Sequence, residues 1–266
     1  MKVSIVGFGS VGQAVYHIFK DKENIKIYDK NIKHCNDPLA ILCSDFVFVC
    51  LPTPNDHEGD QDVTSFIEFF KFIKEKQKTE EFKFWNPVFI IKSTILFKNI
   101  SPFLDDFKIV MNPEFLNKNS AYLDSKNQKL VILGGHIDLL NKVETLYRKE
   151  TCISAEFEYL SVKEAIDFKY IRNIYGAYKV LFWNWVQEQT GDARKLTELY
   201  CKLPQGEMSQ VAADGKLGYG GACFVKDVRA KHNDSPHELT EYLERYNERL
   251  RSCDDTRSKR PDFLKG

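Results

Sequence analysis

Short apolar runs, separated by glycine turns or amphipathic stretches, fill the first half of the chain. Lys2–Val6 is rich in β-branched residues and runs directly into Gly7-Phe8-Gly9-Ser10-Val11-Gly12. Ala14, Val15, Ile18 and Phe19 then recur at helical spacing, and Ile25–Tyr28 is a second short run ending at Asp29. Phe46–Leu51 is continuously apolar, as a buried parallel strand is, and it stops at Pro52-Thr53-Pro54, which can continue neither a helix nor a ladder. The segment from Asp29 to Phe46 is just long enough for a parallel crossover. Phe66, Phe69, Phe70 and Ile73 predict an amphipathic helix packed on a sheet. Val88–Ile91, Ile109–Met111 and Leu130–Leu133 predict three more strands, closed by Lys92-Ser93-Thr94, Asn112-Pro113-Glu114-Phe115-Leu116 and Gly134-Gly135. Each strand is expected to deliver polar residues to one edge of a doubly wound Rossmann-type α/β sheet.

From about Ser161 the period changes. Val162, Ala165, Ile166, Lys169, Asn173, Ala177, Val180 and Leu181 follow three- and four-residue steps, which predicts a long helix ending at Thr190-Gly191, with Gly191 as its cap. Arg194–Leu203 reads as a second, shorter helix, and Ser235–Ser252 as a charged one with Leu239, Tyr242, Leu243, Tyr246 and Leu250 on one side. Between them lies Gly218-Tyr219-Gly220-Gly221-Ala222-Cys223-Phe224-Val225-Lys226-Asp227. Arg251–Gly266 is polar and basic and reads as a frayed tail.

Two of these stretches carry chemistry. Strand, glycine turn, helix, strand and acid come in the order that a dinucleotide site requires. The glycines allow the tight turn and the approach of the pyrophosphate to the helix, and Asp29 can hold a ribose 2′-hydroxyl. An acid at that position favours NAD over NADP. Thr53 falls at the carboxyl end of a strand, where a cofactor hydroxyl would lie. In the glycine-rich stretch, a cation beside a thiol favours the nucleophilic thiolate, and a carboxylate one residue further on could position or deprotonate a water. That is equipment for covalent catalysis at a carbonyl carbon, although a glycine turn with a buried cysteine fits the same residues. Lys169 and Asn173 stand four apart and share a helix face.

Composition narrows the picture. The 266 residues carry 38 cationic and 38 anionic side chains, so no electrostatic footprint for nucleic acid or an acidic membrane surface exists. Hydrophobic content of 43% with 29% charged residues is that of a globular chain. The seven cysteines form no C-x-x-C pair, no disulfide framework and no metal-ligand pattern. The start, Met1-Lys2-Val3-Ser4-Ile5-Val6-Gly7, lacks the organisation of a signal peptide, and no apolar run approaches the roughly 20 residues that span a bilayer. A reduced, cytoplasmic protein is expected.

Taken together, the blocks resemble the UDP-glucose/GDP-mannose dehydrogenase family, in the family's order. They are Gly7-Phe8-Gly9-Ser10-Val11-Gly12; Leu51-Pro52-Thr53-Pro54; Lys92-Ser93-Thr94; Asn112-Pro113-Glu114-Phe115-Leu116; Lys169 with Asn173; and Gly218-x-Gly220-Gly221-x-Cys223-Phe224-x-Lys226-Asp227. The resemblance runs from Lys2 to about Asn247. It implies a four-electron oxidation of a sugar C6 hydroxymethyl to a carboxylate with two NAD⁺ in turn, UDP-glucose to UDP-glucuronate being the default, as in polysaccharide biosynthesis. By that resemblance Cys223 is the nucleophile that carries a thiohemiacetal and then a thioester. Lys169 stabilises oxyanions at C6, Asn173 donates to the same region, and Asp227 orients Lys169 or a water. Glu114 assists proton transfer and hydrolysis, and Thr94 holds a catalytic water or the substrate. The turn residues Gly7 to Gly12, Asp29, Leu51, Pro52, Thr53, Thr94 and Lys226 would meet the cofactor. Glu114, Phe115, Leu116, Lys169, Asn173, Gly220 and Cys223 would meet the sugar.

The implied organisation is an NAD-binding domain over 1–158, a helical central domain over 159–253 that carries the cysteine and makes a homodimer, and a polar tail over 254–266. The chain departs from the family at several points. Asn117 and Lys118 stand where the family usually has arginine and glutamate, Glu207 where it often has arginine, and Val225 where proline is frequent. The chain also ends before the further nucleotide-binding domain that the family carries. Two other readings stand beside this one: a catalytically impaired relative that binds NAD and a nucleotide sugar, which these departures favour, and a two-electron dehydrogenase of a smaller hydroxy compound on the same scaffold.

Overall fold

The structure is a computed structural model that describes residues 1–116, 121–202 and 216–252. The chain forms two compact units: residues 1–53 with 62–169, and residues 54–61 with those from Tyr170 onward.

The first unit is built on a seven-stranded sheet in the order β2-β1-β3-β4-β5-β6-β7. Its strands are β1 Val3–Val6, β2 Ile25–Tyr28, β3 Phe46–Val49, β4 Val88–Ile91, β5 Lys108–Met111, β6 Leu130–Gly134 and β7 Glu156–Leu160. β1 to β5 pair in parallel. β3, β4 and most of β5 are buried on both faces, which is why they read as unbroken apolar runs. The sheet is the doubly wound α/β type expected, with two differences. β6 meets β5 antiparallel through one registered pair, Met111 with Gly134, so the uniform strand direction stops at β5. β7, which the apolar runs did not disclose, pairs in parallel with β6 along its whole length. Its sequence Glu-Phe-Glu-Tyr-Leu alternates because this edge strand buries only part of one face.

Helices cover both faces. Val15 and Ile18 of α1 (Ser10–Ile18) and Leu140, Val143, Leu146 and Tyr147 of α5 (Ile137–Glu150) pack with Val3, Ile5, Phe48, Ile90 and Val110. On the opposite face Phe66, Phe69 and Phe70 of α2 (Thr64–Gln77) join Phe89, Phe103 and Phe107 in an aromatic cluster of edge-to-face and tilted rings. Two short helices, α3 Phe97–Ile100 and α4 Ala121–Asn127, complete the layer sequence. The crossover between β2 and β3 holds a 3-10 turn, Pro38–Ile41, whose cap is made by Asp37.

The long helix α6 (Val162–Thr190) runs where the period predicts. Its residues to Lys169 count with the first unit and those from Tyr170 with the second. The second unit adds α7 (Arg194–Cys201), α8 (Gly221–Asp234) and α9 (Glu238–Ser252). Its core gathers Ala177 and Leu181 of α6, Val228 of α8, and Leu243, Tyr246 and Leu250 of α9 around Tyr219. Among the described residues no helix is long and apolar enough to cross a membrane.

Candidate functional site

In the first unit the glycine turn between β1 and α1 owes each glycine to a different cause. Gly7 has φ +85°, and a Cβ there would lie 2.6 Å from the Cys50 carbonyl oxygen. A Cβ on Gly12 would lie 2.0 Å from the Gly7 carbonyl oxygen, so Gly12 closes the turn on itself. Gly9, the residue before the first turn of α1, has φ −71° and would meet nothing of the protein within 4 Å. The fold therefore does not require a glycine there, whereas a pyrophosphate approaching the helix N-terminus does. Asp29 lies at the end of β2 and accepts from the Phe8 amide at 2.7 Å and the Asn31 amide at 2.9 Å, which fixes its carboxylate beside the turn. The residues present fit a dinucleotide.

The ends of β3, β4 and β5 carry a buried polar cluster. Thr53 donates to the Thr94 carbonyl at 2.6 Å, and Ser93 donates to the Leu51 carbonyl at 2.7 Å. The Thr53 hydroxyl, expected to face a cofactor, thus ties two strand ends together. Lys92 Nζ donates to Asn112 Oδ1 at 3.0 Å, and that oxygen also accepts from Tyr147 at 2.6 Å, while Asn112 Nδ2 donates to the Ile132 carbonyl at 2.9 Å. Burial draws the Lys92 ammonium down to about 8, although Cys50 and Glu114 favour its charge. Burial pushes the Cys50 thiol up to about 12. The Lys92 and Asn112 pairing was not foreseen. The only trace of it in sequence is a lysine placed at the end of an apolar strand.

Lys169, in the first turns of α6, donates to the Glu114 carbonyl at 2.6 Å and to its Oε1 at 2.9 Å, and the Phe115 ring lies 5.7 Å from its Nζ. Glu114 Oε2 accepts from the Leu116 amide at 2.7 Å. Burial pushes the Glu114 carboxyl up, but Lys169, the Leu116 amide and Lys92 outweigh it and hold it below the usual carboxylate range. Glu114, Phe115, Leu116 and Lys169 therefore stand together.

In the second unit the glycine-rich stretch is not only a turn: its last part begins α8. Gly220 precedes the helix, and Cys223 is exposed in the first turn, where backbone N–H groups favour negative charge. Asp227, one turn on, is 1% exposed. It accepts a short hydrogen bond from Asn173 Nδ2 through Oδ2, and Lys226 Nζ lies 2.9 Å from Oδ1 as an ion pair. Lys226, expected near the thiol or the cofactor, is placed against Asp227. Gly218, at φ +76°, donates its amide to Asn184 Oδ1 at 3.3 Å and leaves room for Asn247 of α9. Asn173 and Asp227 therefore stand together, with Cys223 on the same helix. Asn117, Lys118 and Glu207, three of the departures from the family pattern, lie outside the described residues. None of the six cysteines among the described residues is in a disulfide, and no metal-binding group of side chains occurs among the described residues.

A glycine turn between β1 and α1 with an acid ending β2 defines a dinucleotide-binding α/β protein. Residues 26–151 match the family model described as UDP-glucose/GDP-mannose dehydrogenase family, NAD binding domain. That stretch, a little under half of the chain, is similar to the family's NAD binding domain, and NAD is the cofactor it supports. The GDP-mannose 6-dehydrogenase of Pseudomonas aeruginosa is 27% identical over 72% of this chain and 47% of its own. The UDP-glucose 6-dehydrogenase TuaD of Bacillus subtilis is 26% identical over 85% of this chain and 51% of its own. The chain thus spans about half the length of these curated relatives. A UDP-glucose dehydrogenase structure from Pyrobaculum islandicum shares the fold, with a TM-score of 0.72 at 18% identity over 93% of this chain and 68% of that one.

Two predictions follow from the geometry. Gly9→Ala will keep the melting temperature of the parent yet weaken NAD binding by about tenfold or more, whereas Gly12→Ala will unfold at lower temperature because its Cβ has no space. Calorimetric titration beside thermal melting checks both. Lys92, with its folded-state value of about 8 below the usual 10.5, binds its proton less tightly folded than unfolded. Stability therefore rises as pH climbs through that window. Lys92→Met lacks this rise, so its stability relative to the parent will fall by roughly 1–3 kcal/mol between about pH 7.5 and about pH 10. Urea unfolding across that range reads it, and a constant difference would overturn the account of a buried charge.

Proposed function

We propose that the chain is an NAD-dependent nucleotide-sugar 6-dehydrogenase that oxidises the C6 hydroxymethyl to the uronic acid, with UDP-glucose the leading candidate and GDP-mannose next. The observation that carries the proposal is an exposed Cys223 in the first turn of α8, one turn ahead of a buried Asp227 held by Asn173. A two-electron dehydrogenase has no use for a nucleophile so placed.

Bound NAD⁺ supplies the hydride acceptor for both oxidations, with Gly7 to Gly12 and Asp29 as its seat. After the first oxidation, the Cys223 sulfur adds to the aldehyde carbon. A C–S bond forms and the carbonyl oxygen takes up a proton, giving a thiohemiacetal. After the second oxidation the same bond is that of a thioester. Water then cleaves it, releasing the carboxylate and returning the thiol. Lys169 stabilises negative charge on the C6 oxygen, a role suited to a buried ammonium already oriented by Glu114. Glu114 serves proton transfer, Asn173 donates a hydrogen bond to the reacting region, Asp227 orients the hydrolytic water, and Thr94 holds water or sugar. Phe115, Leu116 and Gly220 line the substrate, and Lys226 acts by pairing with Asp227.

We further propose a homodimer formed through α6. Ile171, Tyr175 and Tyr178 are 63%, 57% and 46% exposed and Phe182 is 38% exposed. Their alternating four- and three-residue steps make an apolar seam of the kind that helices pair along.

With purified protein, NAD⁺ and a panel of UDP- and GDP-sugars, one sugar will yield two NADH per molecule at 340 nm, and Cys223→Ser will make no acid. One NADH per molecule would favour the two-electron reading, and none with NAD⁺ still bound would favour the impaired relative. Light scattering will give twice the monomer mass, and Tyr178→Glu will shift it to the monomer; a parent chain already monomeric would overturn the dimer.

A further inference from the structure

The loop after β3 contains a structural element that the reading above leaves without a role. Asn55 and Gln61 pair as an antiparallel bridge, Asp56 accepts the Asp60 amide at 2.9 Å, and Asn55 Nδ2 donates to the Gly59 carbonyl at 2.5 Å. The loop is thus folded upon itself. It is also anchored within the second unit: Gly59 lies against the Arg229 stem of α8, and Asn233 donates to the Glu58 carbonyl at 3.4 Å. At its end Gln61, 8% exposed, donates through Nε2 to the Tyr170 hydroxyl at 3.1 Å.

Tyr170 is 1% exposed. With Gln61 donating to it, its hydroxyl keeps a proton for an acceptor, and a buried hydroxyl proton needs one. Asp227 supplies the matching need. Its Oδ2 is engaged by Asn173, while its Oδ1, ion-paired at 2.9 Å with Lys226, receives no hydrogen bond among the described residues. Tyr170 and Asn173 stand three apart on α6 and so present to the same side. The Asp227 charge, after burial, is the strongest influence resisting ionisation of the tyrosine.

We propose that Gln61 and Tyr170 form a positioning relay for Asp227, the Tyr170 hydroxyl reaching Oδ1 through one bridging water. Tyr170 is a positioning residue, acting on the reaction through the carboxylate, and the loop at 55–61 is the other end of the relay. The inference rests on the proposed dehydrogenase only in calling Asp227 catalytic.

The test uses the full chain with Tyr170→Phe, Gln61→Met and the double variant. Hydrogen exchange of the amides at 55–61 will speed by about tenfold or more in each single variant. The kcat for the active sugar will fall by about tenfold with KM unchanged, since the ground-state contacts remain. The double variant will be no worse than Tyr170→Phe alone, because both substitutions break one relay. Unchanged exchange in both single variants, or effects that add, would overturn it. Should Tyr170→Phe fail to fold, exchange and kcat in Gln61→Met decide the matter. A parent that makes no NADH would sink the dehydrogenase, while the exchange data would still decide the relay.

Discussion

A charge removed from water must be paired, and the first unit is arranged around that requirement. The side chains of Lys169 and Glu114 are 6% and 11% exposed. The ammonium answers both the carbonyl and the carboxylate of Glu114, and the carboxylate in turn takes the Leu116 amide. Removing either partner would leave the other buried and uncompensated, which costs several kcal/mol, on the order of 3–5. The pair therefore fixes the segment after β5 against the beginning of α6. Lys92 obeys the same rule with weaker compensation: its partner is the neutral Asn112, and burial correspondingly makes its charge easier to lose.

The second unit meets a different constraint, combining an exposed thiol with a buried anchor on one helix. Cys223 is exposed while the next turn of its helix is anchored by the buried Asp227, held in turn by Asn173 and Lys226. Glycine makes the approach to α8 possible because Asn247 occupies the space where a Gly218 side chain would stand. The apolar cluster around Tyr219 sits directly behind this approach. A mobile thiol would lose orientation, and a buried one would lose access.

Much of this was legible in sequence wherever local pattern and tertiary role coincide. β3, β4 and β5 are buried on both faces, so their apolar runs mark them without ambiguity. α6 declared its length through spacing, which put Lys169 and Asn173 on one face, while their expected roles came from the family resemblance alone. α8 stayed hidden because its first residues are glycine and alanine and Lys226-Asp227 resembles loop chemistry, although the Asp227 side chain is packed inside. β7 shows a partly buried edge alternation that an apolar-run criterion passes over. Strand direction leaves no mark on composition, so β6 gave no sign of running against β5. The Lys92–Asn112 and Gln61–Tyr170 contacts join residues far apart in sequence, which no local spacing records.

The union of β5 with β6 has a mechanical meaning. The sheet consists of two ladders, one of five parallel strands and one of two, sharing a single rung at Met111 and Gly134. Beside that rung, the Asn112 amide donates to the Ile132 carbonyl across the join, and its carbonyl oxygen takes Lys92 and Tyr147. Load pulled across the sheet would fall on this seam before any of the parallel pairs, each of which shares its burden among several rungs. Asn112 thus acts as a rivet, and the β6–β7 ladder as a panel fastened to the nucleotide-binding frame.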